Sequence, residues 1–130
     1  MEVSLQNETL ESLEGEIRDE PDYGDFVGQK IHALRKTPLG RLRSEDLRLL
    51  IENRVSLPYL LPLAIEKLRK NLFEEGDYYP GDLLQSVLNL NTGFWTNHPQ
   101  EWRQVHELIR YREFELEDRH IATETFLELS

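Results

Sequence analysis

Residues 57–70 read Leu57-Pro58-Tyr59-Leu60-Leu61-Pro62-Leu63-Ala64-Ile65-Glu66-Lys67-Leu68-Arg69-Lys70. Leu60, Leu61, Ala64, Ile65 and Leu68 recur at the three- and four-residue spacing of a helix and cover more than a stripe of it. That pattern predicts the most buried helix of an all-α protein. Either Pro58 or Pro62 suits its first turn, where a missing N–H costs no hydrogen bond. Lys67, Arg69 and Lys70 complement the negative end of the helix dipole. The uncharged apolar run from Leu57 to Ile65 falls well short of the ~18 residues of a membrane span and is interrupted by proline, so no membrane partner is expected.

Working outward, Ser44 stands before Glu45 and Asp46, which predicts a cap and an acidic first turn for a helix carrying Leu47, Leu50, Ile51 and Val55. Upstream, Phe26, Val27, Ile31 and Leu34 fit a helix stopped by Thr37-Pro38. Residues 1–25 form an acidic arm with sparse apolar positions (Leu5, Leu10, Leu13, Ile17) that ends in Pro21-Asp22-Tyr23-Gly24, and Thr9 is placed to cap a short helix ending near Gly15. Downstream, Asp82 is expected to cap a helix bearing Leu83, Leu84, Val87, Leu88 and Leu90. A further helix opens around Phe94 and Trp95 or at Pro99, and carries Trp102, Val105, Leu108 and Ile109. Beyond Arg112, Ile121, Phe126, Leu127 and Leu129 fit a helix or an edge strand equally. The expected organisation is one compact bundle of about five to six helices. Residues 26–112 form its body, with the acidic arm at 1–25 and an extension at 113–130.

The chain of 130 residues has a formal charge of −10 and no cysteine, which excludes disulfide scaffolds, zinc ribbons and thiol catalysis. The charge is segregated: residues 1–26 and 71–130 are each net −8, and residues 27–70 are net +6. The first residues show no basic stretch followed by an apolar one, so a cytoplasmic location is expected. The scattered glycines form no phosphate loop, and no cofactor is called for. His98 and His106 are two helical turns apart, which suits a shared metal poorly, so neither they nor Glu101 are assigned as ligands and no catalytic residue is assigned. Glu113, Glu115, Glu117 and Asp118 read as a solvated face. The stretch 74–82 differs in kind. Glu74, Glu75, Asp77 and Asp82 surround Tyr78 and Tyr79 on a loop held by Gly76, Pro80 and Gly81. Aromatic anchors in a charged rim are the composition of a protein-binding hot spot, and these six acidic and tyrosine residues are the candidate partner-binding set. The competing reading is structural: a tyrosine packed on the core, and Asp82 as a helix cap alone.

Several ordered motifs together resemble a known family. They are His32-Ala33-Leu34-Arg35 with Pro38-Leu39, Glu45-Asp46-Leu47-Arg48-Leu49-Leu50-Ile51, Leu57-Pro58-Tyr59-Leu60, and Gly76-Asp77-Tyr78-Tyr79-Pro80-Gly81-Asp82-Leu83-Leu84. The chain is similar over roughly residues 10 to 110 to the immunity proteins of bacterial contact-dependent growth inhibition systems. It departs from the pattern at Glu52-Asn53-Arg54 and in the tail after Arg112, which extends beyond it. The resemblance implies a non-catalytic protein that binds the toxic C-terminal domain of a cognate effector. A nuclease toxin, with a cationic surface for phosphates, would attract a chain of this charge. An alternative is a helical nucleic-acid-binding regulator using Lys30, Arg35, Lys36, Arg41, Arg43, Arg48 and Arg54, which the overall negative charge opposes.

Overall fold

The helix at the centre of the sequence is also at the centre of the structure, a computed structural model that describes residues 6–15 and 25–129. It runs from Leu57 to Lys70, and its buried residues, Leu57, Leu60, Leu61, Ala64, Ile65 and Leu68, follow the helical period without a gap. Pro58 occupies the first turn and Pro62 lies inside the helix. The bond that Pro62 cannot make would reach the carbonyl of Pro58, and both prolines are on the exposed face, where water replaces it.

In chain order the helices among the described residues are α1 (Leu10–Glu14), α2 (Phe26–Leu34), α3 (Ser44–Glu52), α4 (Leu57–Lys70), α5 (Asp82–Leu88), α6 (Thr92–Thr96), α7 (Pro99–Ile109), α8 (Glu113–Asp118) and α9 (Glu124–Leu127). A 3-10 turn at Leu39–Arg41 links α2 to α3. No strand occurs among these residues, and the fold is all-α. α3 packs chiefly on α5 and α4, α4 on α7, and α7 on α6.

Three local expectations are corrected. Ser44 does not cap α3: it is the first helical residue, the Asp46 carboxylate accepts from the Arg43 N–H at 2.9 Å instead, and the Ser44 hydroxyl donates to Glu74. Asp82 does not cap α5 either. The cap position is Gly81, at φ +95°, where an added Cβ would lie 2.9 Å from the Ile121 side chain. The two proposed starts near residues 94–99 both exist, α6 opening at an Asn91 cap and α7 at Pro99.

The core also extends past residues 26–112 at both ends. Leu10 is fully buried, with α1 capped by Thr9 and ended by Gly15 at φ +66°. The N-terminal segment is tied to α2 by Glu14–Arg35 and Glu11–Lys36 ion pairs, each at 2.8 Å, and the Ser56 hydroxyl donates to Glu14. At the other end Leu116, Ile121 and Phe126 are buried. The Phe126 ring lies edge-on to Trp95 and stacks on Trp102, whose indole N–H donates to the Phe126 carbonyl at 3.0 Å. Trp102 leaves an indole donor that the tail satisfies, so the tail completes the core as helix. The expected turn at Pro21-Asp22-Tyr23-Gly24, with Leu5 and Ile17, lies outside the described residues.

Candidate functional site

The segment between α4 and α5 is shaped by two buried carboxylates. Asp82, at the start of α5, is 3% exposed and points back over the loop. Its oxygens accept from the backbone N–H groups of Gly76 at 2.6 Å, Tyr78 at 3.0 Å and Tyr79 at 3.4 Å. Glu45, in the first turn of α3, accepts from the Asp77 N–H at 2.9 Å. The two carboxylates close on Gly76 so tightly that a Cβ there would sit 2.5 Å from Glu45 Oε1 and 3.0 Å from Asp82 Oδ2. Only glycine fits between them.

Arg48, one turn along α3, holds Glu45 with two parallel bonds of 2.7 Å and also donates to Glu52. The Arg48 hydrogen bonds, outweighing desolvation, hold the Glu45 carboxyl below its ordinary value, and Glu45 in turn raises the Arg48 guanidinium. The outer face of that guanidinium lies 4.5 Å from the centre of the Tyr78 ring. A chain of braces therefore runs from α3 through Glu45 and Arg48 to an aromatic ring at the surface.

Tyr78 and Tyr79 are 69% and 42% exposed on this fixed loop. They wall a groove of about 610 Å³ completed by Arg48, Glu52, Arg54 and Asn89. The structure thus brings Asp77, Tyr78, Tyr79 and Asp82 into one unit but gives them different positions. Asp82 lies beneath the loop. Glu75 and Asp77 are exposed, and Glu74 is half-buried and engaged by Ser44. Sequence reasoning missed Glu45 and Arg48 as loop supports. Their signal was an opposite-charge pair three residues apart on α3, read only as dipole complement and as part of the basic segment.

Four of the seven cations of that basic segment are paired with carboxylates. Arg35 pairs with Glu14, Lys36 with Glu11, Arg43 with Asp46, and Arg48 with Glu45 and Glu52. His98 begins α7 with Nδ1 2.8 Å from the Phe94 carbonyl, and His106 stacks on Trp102. Among the described residues no group of three or more metal-ligating side chains converges, and no helix is long and apolar enough to cross a membrane.

Among the described residues the protein is all-α, and its α4–α5 loop holds two exposed tyrosines over a fixed backbone. The family model for CDI immunity proteins matches residues 12–105, more than two thirds of the chain, and the chain belongs to that family. Its role is toxin-neutralising immunity, which implies a cognate toxin protein as partner. No curated protein and no solved structure matches it.

Proposed function

We propose that this chain neutralises its toxin by stoichiometric binding, docking the Tyr78/Tyr79 loop and the groove beside it onto the toxin domain. The observation that carries the reading is the bracing of that loop. Two large side chains face solvent while the backbone beneath them is fixed by Asp82 and Glu45. Ordering costs that a flexible loop would meet on association are already met in the free protein. Tyrosine and arginine beside a groove are the residue types that dominate interface energetics, and Glu75 and Asp77 place negative charge at the rim. The partner that this charge favours is a nuclease, whose phosphate-binding surface is cationic. The carboxylates nearest the groove are committed to Arg48 and to backbone N–H groups, which suits a binding surface better than proton transfer.

Titration of the toxin domain well above the dissociation constant tests this. Residual toxin activity is expected to fall linearly and reach its floor at a fixed ratio near one equivalent, and dissociation of the complex should return active toxin. Silencing by a small fraction of an equivalent, or recovery of chemically altered toxin, would show catalysis and overturn the reading.

A further inference from the structure

The segment after α7 carries the two most exposed aromatic side chains in the described protein, Phe114 at 85% and Tyr111 at 81%. Residues 109–112 form a tight turn closed by the Arg112 N–H to the Ile109 carbonyl at 3.1 Å. Arg110 is extended at φ −61°, ψ 142°, and Tyr111 follows at φ +65°. This is a type II turn with tyrosine at the position that favours glycine. Nothing in the fold requires a ring there, because Tyr111 faces solvent. Its hydroxyl accepts from Arg110 Nη2 at 2.8 Å, and the Arg110 guanidinium lies 4.6 Å from the ring centre, so the side chain is held in place.

The charges around it are also placed against local stability. Glu117 and Asp118 end α8, where the helix dipole favours cations. Glu117 lines both the cleft of about 750 Å³ beside Tyr111 and the shallower one beside Phe114. Beneath, the segment is anchored. Leu116 and Ile121 are buried, and the Gln85 side-chain amide both donates to and accepts from the backbone of Ala122. Gln85 also lines the Tyr78/Tyr79 groove, so the C-terminal segment is tied to the wall of that groove. Residues 106–130 lie outside the stretch matched by the family model.

We infer that Tyr111, Phe114, Glu117 and Asp118 form a second contact surface for the cognate toxin, taking an arginine- or lysine-bearing element of it. The Phe114 ring, the Tyr111 face that Arg110 leaves open, and the Glu117 and Asp118 carboxylates are complementary to such a cation and its apolar stem. A strained, solvent-facing tyrosine and acids at the wrong helix end are features that binding explains and folding does not. The patch lies beyond the stretch the family model matches, and recognition of this chain's own toxin is the role assigned to it here. The inference rests on the immunity reading.

The test uses the full chain and the purified C-terminal toxin domain of the effector encoded beside it. Tyr111→Gly is expected to raise the unfolding midpoint while weakening toxin binding at least tenfold, a pair of opposite effects that a structural role cannot produce. Phe114→Ala should leave the midpoint unchanged and weaken binding to a similar degree. Glu117→Lys with Asp118→Lys should slow association and flatten its salt dependence. Failure of the unaltered chain to bind the toxin would refute the immunity reading and this inference with it. Tight binding by the unaltered chain and by all three variants, within twofold, would overturn this inference alone. So would a self-association lost in Phe114→Ala with toxin affinity intact, which would assign the patch to a second copy.

Discussion

Replacing Asp82 by alanine measures how far the loop depends on one buried carboxylate. The side chain serves two backbone donors at good distance, Gly76 at 2.6 Å and Tyr78 at 3.0 Å, and Tyr79 weakly at 3.4 Å. Hydrogen bonds to a charged acceptor contribute ~1.5–3 kcal/mol each, and their loss strands donors in a part-buried site. The expected cost is ~3–5 kcal/mol, well above the ~1 kcal/mol of a helix cap, the role first expected of this residue. Asp82→Asn should also destabilise. Gly76 bonds to Oδ1 and Tyr78 to Oδ2, so an amide must turn its NH2 group towards one donor. Urea unfolding followed by circular dichroism gives the free-energy change, and amide hydrogen exchange at Gly76 and Tyr78 reports the loop directly. A cost of ~1 kcal/mol or less for Asp82→Ala, with both amides still protected, would refute the brace.

Gly76→Ala is expected to lower the melting temperature, since its Cβ would lie 2.5 Å from Glu45 Oε1; overpacking of this kind costs ~1–3 kcal/mol, and an unchanged melt would contradict the close approach. Glu45 is held below its ordinary value of 4.5 in the folded protein, so the stability it contributes is complete above that value and is lost as pH falls through the lower folded one. Acid unfolding should therefore be less steep below pH 4.5 in Glu45→Gln than in the unaltered chain, and identical profiles would remove the coupling. Phe126→Ala should destabilise by ~3–5 kcal/mol, because the ring is fully buried between Trp95 and Trp102, and a negligible shift would mean that the tail is not part of the core.

The helical faces were legible because apolar periodicity is a local property. Leu60, Leu61, Ala64, Ile65 and Leu68 declare α4 by spacing alone, and burial follows. Pro62 was ambiguous for the same reason: whether a missing N–H matters depends on which side of the helix faces water, which only packing decides. Asp82 was found but misread. An aspartate before an apolar run looks like a cap, and its turn back onto Gly76 and Tyr78 depends on loop geometry that the sequence does not state. The tail was undecided between helix and strand because its three core residues, Leu116, Ile121 and Phe126, follow no helical or strand period, and Phe126 is placed by the tryptophans of α6 and α7.

The division between braced loop and strained turn bears on how one immunity fold serves different toxins. Gly76, Asp82, Glu45 and Arg48 lie within the residues the family model matches, and each fixes the position of another. Glu45 cannot change without removing two of the bonds that hold Arg48 and the acceptor of the Asp77 N–H, and Gly76 cannot grow without displacing both carboxylates. Changes of specificity therefore cost least on groups that no other residue depends on. In this chain those are the outer faces of Tyr78 and Tyr79 and, beyond the matched stretch, Phe114, Glu117 and Asp118. Tyr111 is a sharper case. Glycine would relieve its backbone and leave the turn hydrogen bond intact, so retaining tyrosine trades stability for surface. If the patch binds toxin, an immunity protein grafted with a foreign 110–118 segment should keep its fold and lose its own toxin before it loses the Tyr78 groove.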